Sequence, residues 1–476
     1  MCLPICHHCG HPTAYPASLS LEPPTPVGSD QLRADLDELR STIARYRVHL
    51  AALEEKQAEV EKRLADVVYP VLTIAPEIVS HIFIRCLPSH GRIRPSPHAA
   101  PLLLAQICCQ WREIAISCSE LWRSLDVGRC GEERTRPLLE TWFRRAKQQP
   151  LSLTIHSYTF DKPDRAFTIP FIRSIAPRLK ALELRLFPEE YQALGTDTQF
   201  PLLQHLGVTG DVNPFFVFQN APSLTELMTD PDISSSITAL PPALTSINLL
   251  HISLHTLSEV VTRCPQLLHL TVWLRHDVDD SLMVTAPQLR SLNLRGGDLD
   301  SFTLPGLSRL EMNIDTGEAD DTFLPFLARS ACVLEHLILD LYGYAHLSRC
   351  LEAVPSLTSF GLRNGEPVLN LAHVLHENPR LLPQVHTLII YDHYDRFPYL
   401  AFVQLLRRRR AHSVPLVSAE LHLCGTELFW GAVIDWFPQY AVDEFEKLLT
   451  EGLPVSVTYN GDETGWPHLD ECATFQ

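Results

Sequence analysis

The sequence predicts a protein of the α/β class, with helices in the first third of the chain and short strands in the remainder. Three observations support this prediction. Residues 31–67 carry an apolar stripe with heptad spacing, residues 72–125 hold two short apolar helical segments, and an eight-residue phrase recurs ten times from Pro177 onward. A heptad stripe is typical of a coiled coil, and a phrase repeated every twenty or so residues is typical of a solenoid. We therefore expect a coiled-coil helix, a small helical unit and an irregular solenoid, in that order.

Length, charge and cysteine content limit the possible classes of protein. A chain of 476 residues is too long to fold around one ordinary core, so more than one structural unit is expected. The formal net charge of −17 argues against general binding to nucleic acid or to an acidic membrane face. The thirteen cysteines are scattered, the chain has no Asn-x-Ser/Thr site, and its start lacks the features of a signal peptide. We expect no nucleic-acid partner, no membrane partner, reduced thiols and a cytoplasmic and/or nuclear location.

The N-terminal residues 1–30 are rich in proline and contain a cluster of cysteine and histidine. Cys6 and Cys9 have the spacing of the first half of a zinc knuckle, but no second half follows. We predict a disordered tail. A local zinc site formed by Cys6, Cys9 and His11 is the alternative.

Residues 31–67 form the heptad segment. Its core positions alternate at steps of four and three, with one polar interruption, and they are Leu32, Leu36, Leu39, Ile43, Tyr46, Leu50, Leu53, Gln57, Val60, Leu64 and Val67. With Leu36 at position a, Lys56 and Glu61 occupy g and the following e, which attract each other in a parallel dimer. The two alternatives are a homodimer through residues 31–67 and a single helix folded back onto its own chain.

Residues 72–125 predict a small helical unit. Pro76 and Glu77 suit the first turn of a helix, on which Ile78, Ile82 and Phe83 fall at helical spacing. A proline-rich loop precedes a second helix, whose apolar side is Leu103, Leu104, Ile107, Cys108, Trp111, Ile114 and Ala115. A unit of this size buries too little surface to be robust alone, so we expect it to need a partner.

This unit resembles the F-box family. Its Leu-Pro-x-Glu-Ile opening is matched by Ile74 to Ile78, its Val-Cys-x-x-Trp-Arg signature by Ile107 to Arg112, and its closing Leu-Trp by Leu121 and Trp122. Ala75 departs from the pattern, and the Leu87–Ala100 connection is longer than usual, but loop insertions are mild in energetic terms. The alternative is a helical hairpin that belongs to a larger α domain.

The recurring phrase begins at intervals of 18 to 28 residues between Pro177 and Pro383. Counting its first residue as one, places three, six and eight are apolar in 29 of 30 cases, Thr229 being the exception. Because side chains alternate along a strand, places six and eight point to one side and place seven to the other. The phrase resembles leucine-rich repeats, although the family's asparagine ladder is absent. We expect an irregular solenoid over residues 150–425 whose connecting side varies from helix to loop.

Residues 426–476 predict a cap over the last repeat. They open with an apolar cluster that includes Trp430 and Trp436, continue with a helix to Gly452 and end with a strand from Pro454. We expect the strand from Ala419 to end the stack. A separate binding site in this segment is the alternative.

The sequence offers no catalytic signature. No glycine precedes a lysine, no G-x-G occurs, and the motifs of zinc proteases and serine hydrolases are absent. We therefore predict no catalytic residue, no cofactor and no metal. The basic run Arg407–Arg410 is interpreted as a solvated helix end, with a nuclear-import patch as the alternative.

Taken together, the chain resembles F-box proteins with leucine-rich repeats, of the fungal type with an N-terminal heptad helix. This resemblance implies the substrate-recognition subunit of an SCF-type cullin–RING ubiquitin ligase, a binding protein and not itself an enzyme. The alternatives are an interaction scaffold outside any ligase that uses the same F-box and repeats, and a repeat enzyme with an unfamiliar site.

The resemblance and the strand pattern each imply a set of site residues. The residues expected to bind a Skp-family adaptor, and through it a cullin, are Pro76, Ile78, Ile82, Leu104, Ile107, Cys108, Trp111 and Trp122. Place seven and the residue after place eight point away from the core and are expected to bind an unknown protein target. The target-binding residues chosen on this basis are Trp273, Asn293, Arg295, Asp340, Arg363 and Tyr391.

Overall fold

The computed structural model falls into two compact units, Met1–Ala75 and Pro76–Gln476. The residues it describes are 28–65, 70–88, 91–127, 132–156, 165–209, 217–230, 233–275, 282–296, 299–314, 319–341, 347–363, 367–393, 397–411, 416–424 and 438–460. The N-terminal cysteine and histidine cluster and the apolar cluster around Trp430 and Trp436 lie outside these ranges, as does Val67.

The first unit contains one long helix, α1, which spans Ser29–Ala65. Its 37 residues correspond to a length of about 55 Å at 1.5 Å per residue. Acidic Asp30 lies in the first turn and basic Lys62 and Arg63 in the last, which complements the helix dipole. The predicted heptad helix is therefore a continuous helix in the structure.

The second unit begins with α2 (Pro76–Arg85), α3 (Leu104–Ile107) and α4 (Cys109–Ser117). The core of this helical unit contains Phe83, which is fully buried and meets the Trp111 ring edge-on at a centroid distance of 5.0 Å. The prediction of one continuous second helix was wrong. The chain is extended at Cys108, where φ is −155° and ψ is 170°, and its Sγ accepts a hydrogen bond from the Trp111 backbone N–H at 3.4 Å.

Short strands follow, and each of the ten recurring phrases supplies one of them. The strands are β1 (Ser124–Asp126), β2 (Leu151–His156), β3 (Leu179–Arg185), β4 (His205–Val208), β5 (Glu226–Thr229), β6 (Ser246–Ile252), β7 (His269–Leu274), β8 (Val284–Thr285), β9 (Ser291–Arg295), β10 (Phe302–Thr303), β11 (Arg309–Ile314), β12 (His336–Leu341), β13 (Ser359–Arg363), β14 (Thr387–His393), β15 (Ser418–Cys424) and β16 (Val455–Asn460).

All strands except β8 and β10 form one parallel sheet in the described part of the chain, and their spatial order follows their order in the sequence. Strands β8 and β10 pair in parallel as a separate two-stranded sheet. Because each strand neighbours the one before it, every connection returns to the same end of the sheet, and the chain winds as a solenoid. The predicted solenoid is thus present as a stack of parallel strands, and its assignment to the leucine-rich repeats stays a prediction.

The connections between strands vary, as predicted from the irregular spacing. Some strands are joined by turns and short 3-10 segments, others by α-helices. The remaining helices are α5 (Glu132–Arg145), α6 (Arg165–Ile175), α7 (Pro188–Leu194), α8 (Leu254–Arg263), α9 (Ala319–Ser330), α10 (Leu347–Glu352), α11 (Pro367–Glu377), α12 (Tyr399–Ala411) and α13 (Gln439–Thr450). The sequence intervals therefore set how much helix each return segment can hold.

The core lies along the side of the sheet that carries places three, six and eight. All thirty residues at these places are buried, including Thr229. A single strand and its return segment cannot bury this side alone, so the stacking of neighbours provides the continuous core. We call the opposite side of the sheet, with places five, seven and nine, the odd face.

The solenoid extends beyond both ends of the recurring phrases. The strand from Ala419 does not end the stack, because β16 pairs in parallel with β15 and adds one more strand after α13. At the other end, β1 directly follows the helical unit and pairs with β2. The C-terminal strand and helix were predicted, but the strand continues the sheet instead of only covering it.

No helix among the described residues is long and apolar enough to span a membrane.

Candidate functional site

Helix α2 and the segment Leu103–Ile107, which consists of α3 and the residue before it, expose apolar side chains to solvent. On α2, Ile78 and Ile82 are 54% and 46% exposed and lie one turn apart. Leu103 and Ile107, also four residues apart, are 41% and 55% exposed. Pro76 is exposed at the start of α2 as well. We call Pro76, Ile78, Ile82, Leu103 and Ile107 the helical apolar face.

Two residues predicted to bind the adaptor belong to the core instead. Leu104 is 7% exposed and Trp122 is completely buried. The Trp122 ring meets Trp142 edge-on at 4.8 Å, and its Nε1–H donates to the Ala115 carbonyl at 2.8 Å. Trp122 therefore joins the helical unit to α5, and neither residue presents a surface for a partner.

Cys108 and Trp111 are only partly exposed, and both have a structural role. Cys108 caps the start of α4, while Trp111 packs on Phe83. Their contribution to adaptor binding stays a prediction. A large substitution at Trp111 would not test it cleanly, because it would also disturb the packing on Phe83.

The long Leu87–Ala100 connection attaches the helical unit to the odd face of the sheet. The Ile93 carbonyl accepts a hydrogen bond from the Asp126 N–H at 2.8 Å, and the Ile93 side chain is buried. Arg94 Nε lies 3.1 Å from Asp126 Oδ2, and Arg92 Nη2 lies 2.5 Å from Glu183 Oε1 on β3. The long connection thus holds the helical unit to the first strands.

Arg92 joins an ion cluster that crosses three strands of the odd face. His205 on β4 contacts Glu183 through Nε2 and Glu226 on β5 through Nδ1, both at 3.2 Å. Burial disfavours the charged ring of His205, but the hydrogen bonds and charges of Glu183 and Glu226 outweigh it and raise its pKa to about 9. Burial would raise the pKa of Glu183, but the hydrogen bonds and charges of His205 and Arg92 outweigh it, so that pKa is lowered. The pKa of Glu226 is also lowered, mainly because Glu226 is hydrogen-bonded to His205.

We expect this cluster to make the stability of the first repeats depend on pH. A histidine whose folded pKa exceeds its unfolded value of about 6.5 stabilises the protein fully below that pH. This stabilisation, about 1–2 kcal/mol because 30% of the His205 side chain stays in solvent, is lost as the pH rises from about 6.5 to about 9. Urea unfolding at pH 6 and pH 9.5 measures it. His205→Gln should reduce the wild-type difference by about this amount, and an unchanged pH dependence in that variant would contradict the assignment.

Four of the target residues predicted from the sequence lie in one charged and aromatic network on the odd face. Arg295 Nη2 and Nη1 lie 3.4 Å from Glu311 Oε1 and from Asp340 Oδ2. Arg363 Nη2 contacts the same Glu311 oxygen at 2.9 Å, and its guanidinium stacks over the Tyr391 ring at 4.2 Å. Because two guanidinium groups balance two carboxylates, the network satisfies much of its own charge.

The residues of this network are all buried or half-buried. Asp340 and Arg363 are only 4% and 7% exposed, which corrects the expectation that they stand open to a partner. Burial lowers the pKa of Arg295, with its neighbour Arg363 acting in the same direction, while Glu311 and Asp340 oppose the shift. Burial also raises the pKa of the Tyr391 hydroxyl. These residues cover one another across neighbouring strands, so the odd face is partly closed here.

A glycine explains part of this closure. Gly361 lies between Ile338 and Ile389 on neighbouring strands. A Cβ at Gly361 would lie 2.9 Å from Ile338 Cγ1 and 3.3 Å from Ile389 Cβ. The missing side chain lets these two isoleucines, 3% and 9% exposed, close over β13.

Trp273 and Asn293 form the more open part of the predicted target site. Trp273 is 38% exposed, lies beside the His251 ring at 4.6 Å, and is in register with Arg295. Asn293 lies between Thr271 and Glu311 in register. Its amide oxygen is buried and accepts no hydrogen bond from the residues that the structure describes, so this oxygen is not open to a partner.

The basic run at the end of α12 is largely engaged within the chain. Arg407 contacts Glu444 at 3.0 Å and Glu451 at 3.1 Å, and buried Arg409 donates to the Leu382 carbonyl. Arg408 and Arg410 are exposed. This arrangement favours a helix end packed against α13 over a free import patch.

The described residues contain no group of three or more His, Cys, Asp or Glu side chains placed to hold a metal ion.

Comparison with solved structures gave a match to the leucine-rich repeat-containing protein LegL7 from Legionella pneumophila. The two chains are 16% identical, the match covers 58% of this chain and 90% of the other, and the TM-score is 0.37. No model of a known protein family matches the sequence, and no curated protein matches it. A TM-score this low carries no argument, so the solenoid fold rests on the strand order and register described above.

Proposed function

We propose that this chain is the substrate-recognition subunit of an SCF-type cullin–RING ubiquitin ligase. The helical apolar face binds a Skp-family adaptor, which recruits a cullin, and the odd face binds the protein to be ubiquitinated. The chain itself performs no chemistry and supplies proximity between the target and the catalytic subunits.

The observation that carries this proposal is the exposure of Ile78 and Ile107. Each keeps more than half of its side chain in solvent, on a unit whose opposite side is packed around Phe83 and Trp122. A set of exposed apolar residues on a small helical unit is typical of an interaction surface. The link through Arg92 further supports the proposal, because it ties the helical unit to the sheet that would hold the target.

We expect the double variant Ile78→Asp/Ile107→Asp to lose adaptor capture by at least about a hundredfold, because burying two charges costs more than the apolar contacts gain. The measurement is affinity capture of purified adaptor by the full chain, with circular dichroism as a check on folding. Leu400→Asp/Leu449→Asp is the matched control, since both leucines are 56% exposed on helices of the solenoid. Undiminished capture by the first variant would refute the assignment.

The same capture separates the ligase from an interaction scaffold. A ligase subunit brings a cullin with the adaptor, whereas a scaffold outside any ligase brings the adaptor alone.

A further inference from the structure

The apolar stripe of α1 is uncovered. Eight large apolar side chains at its heptad core positions are between 46% and 65% exposed, and they are Leu32, Leu36, Leu39, Ile43, Tyr46, Leu50, Leu53 and Val60. A single helix folded back onto its own chain stays the alternative to a partner for these residues. Most helical stability in proteins comes from packing of an apolar face, which indicates a partner for α1.

We propose that α1 pairs with α1 of a second copy of this chain as a parallel two-stranded coiled coil. In a parallel pair, each g residue faces the e residue of the next heptad in the other copy. This rule pairs Asp35 with Arg40 and Lys56 with Glu61, and it places His49 beside Glu54. Each contact occurs twice by symmetry, and none joins like charges.

The polar core position supports the same orientation. In a parallel pair, Gln57 at position a meets Gln57 of the second copy, and the two amides can bond to each other. In a fully overlapping antiparallel pair, Gln57 would instead face Leu39. The antiparallel pair would place Arg47 opposite Arg47, a like-charge contact at its centre, but it would also pair Asp35 with Arg63 and Arg40 with Glu54. The orientation is therefore argued from Gln57 and decided by the experiment below.

The parallel arrangement has a consequence for target binding. Two copies would carry two odd faces in one assembly, which raises the apparent affinity for a target with two binding segments. The dimer itself does not depend on adaptor binding, so it can hold even if the proposed function fails.

Charge exchange between Lys56 and Glu61 tests the pairing and its orientation. In the full chain, Lys56→Glu should raise the dimer dissociation constant about tenfold or more, because it creates two repulsive contacts with Glu61. Glu61→Lys should do the same. The double variant Lys56→Glu/Glu61→Lys restores both attractions and should return to near the wild-type value in sedimentation equilibrium.

An antiparallel dimer gives a different result, because Lys56 would then face Thr42 and Glu61 would face Arg33. The double variant would stay as weak as Glu61→Lys, which would overturn the parallel orientation. Glu55→Lys/Lys62→Glu is the matched control, since both residues lie at exposed f positions, and it should leave the dissociation constant unchanged. A full-length protein that is monomeric or trimeric at micromolar concentration would overturn the dimer.

Discussion

Replacing Trp122 with alanine is expected to destabilise the second unit by about 3–5 kcal/mol, the range measured for large aromatic residues removed from cores. Trp122 is completely buried against Trp142, and the Arg145 guanidinium lies over its ring at 4.4 Å. The variant would also leave the Ala115 carbonyl without the indole N–H that now donates to it. The cost therefore combines a cavity with a lost buried hydrogen bond.

Urea unfolding followed by circular dichroism measures this effect. Adaptor capture is measured as well, at urea concentrations below the unfolding transition. If Trp122 were part of the adaptor surface, alanine would abolish capture and leave the unfolding midpoint unchanged, which would contradict its place in the core. Ile78→Ala is the matched control, because an exposed residue should change stability by no more than about 0.5 kcal/mol. That variant should weaken capture instead.

The solenoid could be predicted from sequence because each phrase is a local pattern. Alternation along a strand determines which residues point together, and the recurring places three, six and eight all turned out to be buried. Even Thr229, the one polar residue among them, lies in the core with 0% exposure, because stacking between β4 and β6 leaves its position no other environment.

Periodicity was less informative in the helical unit. It placed Ile78, Ile82 and Phe83 on the same side of α2, yet Phe83 is buried together with Val79 while both isoleucines are exposed. Helical spacing shows that residues share an arc, but it does not show which edge of that arc meets the core. Trp122 was wrongly assigned to the adaptor surface, because a sequence motif does not reveal whether a side chain points into the core or into solvent.

The contacts of the odd face could not be predicted because they join residues distant in the sequence. Arg92 and Glu183 are 91 residues apart, and Arg295 and Asp340 are 45 apart. Whether such residues meet depends on how the strands stack across several repeats. The only signal in the sequence was strand alternation, which assigned places seven and nine to the odd face but did not show which of their side chains form ion pairs.

Arg363→Met is expected to destabilise the solenoid by about 3–5 kcal/mol, since removal of one partner from a buried ion pair leaves the other charge uncompensated. The Arg363 side chain is 8% exposed and that of Glu311 is 15% exposed. The variant changes the network from two cations and two carboxylates to one cation and two carboxylates. Arg363→Met/Glu311→Gln restores the balance and should recover at least about half of the loss.

Urea unfolding of both variants tests this account, with Trp273→Ala as the control on the same face. Because Trp273 is 38% exposed, its truncation should cost less than about 1 kcal/mol. If Arg363→Met were as stable as the wild type, the network would be no more than a surface contact. Target binding is accordingly tested best with Trp273→Ala, because a loss of copurifying target in this variant comes from the interface itself, whereas a loss in an Arg363 variant also reflects a weakened sheet.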